Sequence, residues 1–233
     1  MEPTTTGRFR VLDRRPDGRL LLVDLAEAVA AINETDPDAD LRPIAVTPPS
    51  ADSTDPSSPT DEPKGASVGD LQPGYVIEAT LTWDDSEARF RAIEIIDRTR
   101  IQYADGVTGL FEKAQETWHD AQVAGAAMNS AVTYSTGKEP NGVVYVFAKQ
   151  APPRDLFEEF RTGATPIEPL IQRVAAEYDE DDETDEPDNG NEAERAIFVM
   201  NPVDEEFVLI YIVFRKDGML AKTVRDTYGL PSV

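Results

Sequence analysis

Phe207-Val208-Leu209-Ile210-Tyr211-Ile212-Val213-Phe214 is the longest unbroken apolar run in the chain, and its reading decides the fold. Consecutive apolar residues without alternation describe a strand buried on both faces, hence a central one. The run falls far short of the ~20 residues that a membrane helix needs, so no spanning segment and no membrane partner is expected. Asn201-Pro202 joins it back to Ile197–Met200 as a hairpin.

Three further hairpins precede it. Phe9–Arg14 and Arg19–Leu25 flank Pro16-Asp17-Gly18, where Pro presets φ and Gly supplies φ > 0. Tyr75–Trp83 turns through Asp84-Asp85-Ser86-Glu87 into a strand expected over Ala88–Tyr103, long enough that a bulge or bend is expected within it. Within the first of these, Val76, Glu78, Thr80 and Thr82 alternate with Ile77, Ala79, Leu81 and Trp83, giving one wet face and one dry. Ala131–Ser135 and Val143–Lys149 flank the turn-rich Gly137-Lys138-Glu139-Pro140-Asn141-Gly142.

Helical spacing places Phe111, Ala114, Trp118, Ala121, Gly125 and Met128 on one stripe of a helix over Leu110–Met128. Thr165-Pro166-Ile167-Glu168 reads as a capping box with Pro at the first helical position, opening a helix that buries Ile167, Leu170, Ile171, Val174 and Tyr178. Asp217 is expected to cap a C-terminal helix that buries Leu220, Val224 and Tyr228 and closes at Gly229 and Pro231. Shorter helices are expected at Asp155–Arg161 and Ala26–Glu34. Without regular strand–helix–strand alternation a doubly wound parallel sheet is excluded. The expected class is α+β: a mainly antiparallel sheet or partly closed β-barrel built from hairpins, with flanking helices.

Residues 1–47 are read as an N-terminal hairpin region of the main fold. Residues 48–65 hold five prolines among Ser, Thr and Asp and no large apolar side chain, so a disordered linker is expected. The main α+β domain follows at 66–176. Residues 177–194 carry eleven acids and no Lys or Arg, a disordered acidic insertion, and 195–233 form a hairpin and helix packing on the main domain.

The 233 residues hold 45 acidic and 22 basic side chains, a net charge of −23. Sixteen of the basic residues are Arg and six are Lys. Surplus carboxylates, arginine forks in place of hydrated lysine ammonium groups, and no cysteine fit a protein that stays hydrated in molar salt, a halophile. The missing cysteines exclude a disulfide scaffold, a thiolate zinc site, an iron–sulfur cluster and a thiol nucleophile. Met1-Glu2-Pro3-Thr4-Thr5-Thr6-Gly7-Arg8 lacks the basic-then-apolar layout of a signal peptide, and a cytoplasmic location is expected.

Nine of the sixteen arginines fall within two twelve-residue windows, 8–19 and 89–100. Alternation sends Arg8 and Arg10 to one face of their strand and Phe9 and Val11 to the other; Arg89 and Arg91 alternate likewise with Phe90. Arg8, Arg10, Arg89, Arg91, Arg98 and Arg100 are thus the candidate binding residues, a sheet face for nucleic acid or a protein partner, against the plainer reading of cross-strand pairs with neighbouring acids. The loop Tyr134–Lys138 offers an alternative anion site of Ser135, Thr136 and Lys138, although it is no phosphate loop: no glycine stands five residues before Gly137, and a strand follows. His119, the single histidine, lies on the polar face of its helix beside Glu112, Gln115, Glu116 and Gln122. G-x-G-x-x-G and H-E-x-x-H are absent, and no cofactor or metal site is expected. The expected function is a non-catalytic binding or regulatory protein. The alternative is a small enzyme with carboxylate or Mg²⁺-assisted acid/base chemistry near the 134–138 loop.

Gly7-Arg8-Phe9-Arg10-Val11-Leu12-Asp13-Arg14-Arg15, the Gly74–Trp83 strand, and the block from Thr108-Gly109-Leu110-Phe111 through Asn129-Ser130 to Asn141-Gly142-Val143-Val144-Tyr145 resemble an uncharacterised family of acidic haloarchaeal proteins. The resemblance implies a haloarchaeal cytoplasmic protein and carries over no catalytic or binding residue. Val68-Gly69-Asp70-Leu71-Gln72-Pro73-Gly74 before an alternating strand is also similar to the opening of small β-barrels of the oligonucleotide-binding type.

At low ionic strength the −23 charge repels itself over roughly 30 Å, so dilution from molar to ~10 mM KCl is expected to unfold the chain. Circular dichroism against KCl concentration measures this. Full signal at 10 mM would contradict the halophile reading.

Overall fold

The computed structural model describes residues 3–28, 43–48, 64–150, 154–178 and 194–232. The chain divides into two compact units, residues 1–98 with 162–169, and residues 99–161 with 170–233. The class is α+β, with each unit built on one mixed sheet.

In the first unit β1 (Thr4–Arg14) and β2 (Leu20–Asp24) form the expected hairpin. β3 (Ile44–Thr47) pairs antiparallel with β2. The two-residue β4 (Lys64–Gly65) lies parallel on β6 (Glu87–Asp97). β5 (Val76–Asp84) joins β1 to β6, and β3 runs parallel to β6 on its far side, which closes a hydrogen-bonded ring that is not a regular barrel. Asp85 and Ser86, with φ of 44° and 76°, make the two-residue turn whose twist suits a hairpin. The dry face of β5 behaves as its alternation predicts: Ile77, Ala79 and Leu81 join Phe9, Val11, Leu20, Leu22, Phe90 and Ile93 in the ring's core.

The long strand expected over Ala88–Tyr103 is in fact two strands of different sheets. β6 stops at Asp97, and β7 (Arg100–Val107) starts the sheet of the second unit, with order β7-β10-β11-β9-β8. Here β8 is Met128–Tyr134, β9 Pro140–Ala148, β10 Ala196–Pro202 and β11 Phe207–Val213. β11 stands third of five with every residue buried, the central place its apolar run demanded. Among the described strands of this second sheet, only β7 and β10 run parallel.

Four helices accompany this sheet: α1 (Glu112–Ala124), α2 (Leu156–Thr162), α3 (Glu168–Tyr178) and α4 (Met219–Tyr228). Ala114 and Trp118 of α1 and Ala221 and Val224 of α4 pack on Val144, Val146, Phe198, Leu209 and Tyr211, with Trp118 and Phe207 ring centres 5.3 Å apart. The opposite parity meets the other helices through ring contacts, Tyr103 with Phe157 and Phe147 with Phe160 from α2, and Phe214 with Tyr178 from α3.

Several element ends differ from expectation for local reasons. α1 stops at Ala124 because Gly125 takes the left-handed conformation (φ 65°), and Met128 opens β8 instead of extending the helix. α3 starts at Glu168, the last residue of the proposed capping box, and Gly218 occupies the N-cap of α4 where Asp217 was expected. Of the helix expected at Ala26–Glu34 only a turn at 25–28 is described, capped by Asp24 Oδ1. Most of the expected linker and acidic insertion, 49–63 and 179–193, lies outside the described residues.

Beside Gly142 of β9 the sheet is tightly closed: a Cβ there would stand 2.9 Å from both the Ile212 carbonyl oxygen and the Tyr211 ring. Tyr211 donates its hydroxyl to Thr133 Oγ1 at 2.9 Å, and burial pushes its pKa up to about 12. The neutral phenol is therefore favoured by the fold. Its contribution is complete below the unfolded value of roughly 10 and is lost as pH rises from there toward the folded value. Chemical denaturation should show the fall in stability between pH 8 and pH 11 to be smaller in Tyr211→Phe than in the wild type, by on the order of 1 kcal/mol. An equal fall in that variant would contradict the assignment.

Candidate binding face

The outer surface of β1, β5 and β6 is organised by register. Cross-strand rows run Arg8–Glu78–Glu94, Thr6–Thr80–Ala92 and Thr4–Thr82–Arg89. The first row sets Glu78 directly opposite Glu94, a like-charge pair that is unfavourable without a counter-charge. Beside it Thr6 Oγ1 and Thr80 Oγ1 stand 3.1 Å apart. Gly65 and Ala66 lie along β6, where Ala66 N–H donates to the Ile93 carbonyl at 3.0 Å. Gly65 has φ 105°, and any Cβ on it would collide with that same carbonyl. Together these residues form an open groove of about 500 Å³, with Thr6, Glu78, Thr80, Ala92, Glu94 and Arg98 in its lining.

The six candidate arginines separate into three groups. Arg8, Arg89, Arg91 and Arg98 are exposed on the first unit. The Arg98 guanidinium sits 5.6 Å from the Tyr75 ring centre, and Arg89 Nη2 lies 3.8 Å from Glu87. Arg10 is buried instead of facing solvent. Its Nε donates to Glu168, its Nη2 to Glu168 Oε2 at 3.3 Å, and its Nη1 to the Gly74 carbonyl at 2.7 Å. Arg100 belongs to β7 of the second unit and is buried there, so it is not part of the first unit's face. Beside that sheet, Arg225 of α4 donates to Gln102 Oε1 and to the Lys216 carbonyl, each at 2.8 Å. Burial holds Arg225 below the usual arginine pKa; Asp217 opposes that shift and Arg100 adds to it.

Arg10 is covered because the other parity of β1 and β2 is apolar too. Leu12, Leu21, Val23 and Ala28 form a second small core on that side. Gly163, at φ 78°, approaches Leu12, Val23 and Pro43 so closely that a side chain would have no room. The signal was present in Leu20-Leu21-Leu22-Val23, apolar at both parities, and in Leu12 sharing a parity with Arg8 and Arg10.

The alternative anion site is an exposed hairpin turn. Ser135 Oγ accepts from the N–H groups of Gly137 and Glu139 at 3.2 and 3.3 Å, and Lys138 adopts φ 66°. His119 is exposed on α1. Neither His119 nor Lys138 lines the groove or a second cleft of about 310 Å³ beside Lys149, Arg154 and Asn201. Among the described residues no group of three or more His, Cys, Asp or Glu could hold a metal ion. No described helix is long and apolar enough to cross a membrane.

With this geometry in hand, comparison with family models gives a match over residues 1–233 to a family of unknown function, DUF6663. The chain belongs to the DUF6663 family. No curated protein and no solved structure matched it. The roles of residues in this DUF6663 chain therefore rest on its own geometry.

Breaking the buried Arg10–Glu168 pair from one side leaves an uncompensated charge, which typically costs ~3–5 kcal/mol. Glu168→Ala should lower stability by about that much in chemical denaturation in molar KCl, whereas Arg10→Met with Glu168→Met should recover most of the loss. A loss under ~1 kcal/mol for the single change would mean that the pair is solvated.

Proposed function

We propose that this DUF6663 chain is a non-catalytic binding protein whose groove on β1, β5 and β6 holds an extended segment of a partner protein that carries a lysine or arginine. The carrying observation is the opposed pair Glu78–Glu94 in an open groove whose lining carries one further charged side chain, Arg98, so that two carboxylates face one guanidinium there. A cation supplied by the partner relieves that repulsion, and the hydroxyls of Thr6 and Thr80 offer hydrogen bonds to its backbone. The setting we propose is the molar-salt cytoplasm of a haloarchaeon, supported by the charge of −23 and the preference for Arg over Lys.

Nucleic acid is the second reading, supported by Arg89 and Arg91 on a closed five-stranded ring. Two observations weigh against it. Barrels that bind oligonucleotides use strands 2 and 3, and here the outer side of β2 carries the Leu21 and Val23 core and the close approach of Gly163. The groove itself presents carboxylates where phosphate would lie.

Immobilised wild-type protein should retain a partner from native lysate in molar KCl, and Glu78→Gln with Glu94→Gln should weaken that retention roughly tenfold or more without changing the circular dichroism. Retention unaffected by the double change would overturn the proposal. So would specific binding of labelled RNA or single-stranded DNA that is lost on Arg8→Glu with Arg91→Glu.

A further inference from the structure

Residues 121–137 form a run of seventeen without one charged side chain, in a chain of which 29% is charged. The run is also a surface. Residues 122–128, 130, 134, 136 and 137 are exposed, with Val123 at 76%, Met128 at 43% and Tyr134 at 60% of their free accessibility.

Its strand, β8, ends the second unit's sheet and, among the described residues, pairs on one side only, with β9. Edge strands are ordinarily blunted by lysine, proline or an inward charge. Met128-Asn129-Ser130-Ala131-Val132-Thr133-Tyr134 has none of these. The open edge has a definite parity. Ala148 N–H donates to the Ala127 carbonyl at 2.8 Å, so odd-numbered residues turn their backbone groups toward β9. Met128, Ser130, Val132 and Tyr134 then present theirs outward. The Ser130 N–H is met on that side by the Asn129 side-chain oxygen at 2.8 Å, a bond that a pairing strand would replace.

We propose that β8 pairs with β8 of a second copy of this chain, antiparallel about a two-fold axis through Ala131. Two features select a second copy over a foreign strand. The strand is self-complementary: a two-fold at Ala131 sets Ser130 opposite the second copy's Val132 and Met128 opposite its Tyr134. All four have the outward parity, so each facing pair exchanges main-chain hydrogen bonds, and the two most exposed apolar side chains of the strand meet as thioether and aromatic ring. The second feature is charge. Copies that each carry −23 repel, and the uncharged run is where contact is least opposed. The interface is isologous and closes on itself.

The absence of cysteine makes the register directly testable. In molar KCl, sedimentation of the full chain at hundred-micromolar concentration should give a mass near twice 25.6 kDa. Val132→Lys should weaken association roughly tenfold or more with the circular dichroism unchanged. Ala131→Cys should oxidise to a covalent dimer because the two thiols face each other at the axis, while Thr136→Cys, off the axis, should not. A monomeric wild type, association unaltered by Val132→Lys, or equal cross-linking at 131 and 136 would overturn the proposal. Should Val132→Lys misfold, the cysteine pair still decides the register.

Discussion

A guanidinium taken out of water has to be met by a carboxylate and by hydrogen-bond acceptors, and Arg10 is met by Glu168, 158 positions away in sequence, and by the Gly74 carbonyl. This requirement ties residues 162–169 to the ring formed by the first ninety-eight. It also divides the ring's outer surface. Over β2 and the second half of β1 the apolar residues Leu12, Leu21 and Val23 form a second core, while over β5 and β6 the rows of Glu78, Thr80 and Glu94 remain open. The proposed binding face is the part that the buried pair leaves uncovered.

Much of this fold was legible from local patterns. Strand alternation marked the dry face of β5, the apolar run marked β11 as central, and spacings of three and four marked the stripes of α1 and α4, because each signal lies within one element. The break between β6 and β7 was not legible. Residues over Ala88–Tyr103 favour extended backbone throughout, and nothing local states that Asp97 and Arg100 pair with different partners. The same holds for Glu168. Beside Thr165 it has the spacing of a capping box, yet its carboxylate is taken by an arginine from another part of the chain. Of the candidate site, the exposure of Arg8, Arg89 and Arg91 followed from alternation, whereas the burial of Arg10 and Arg100 depended on what packs over them.

The distribution of charge connects the two surfaces assigned a role. Most of the exterior of a chain at −23 repels a second acidic body. The groove on the ring brings two carboxylates together, where we propose a cationic group from a different protein, while the edge of β8 that we propose for an identical chain is uncharged. Positive charge held inside, at Arg10, Arg100, Arg195 and Arg225, adds nothing to the exterior that either partner meets.

The claim on which the rest stands is that Arg10–Glu168 holds the cover over the ring. Hydrogen exchange of the Glu168→Gln variant, followed peptide by peptide in molar KCl, tests it most directly. The account predicts faster exchange in residues 162–169 and in β1 and β2, with β10 and β11 as protected as in the wild type. Unchanged protection at 162–169, or an equal loss in every strand, would contradict it.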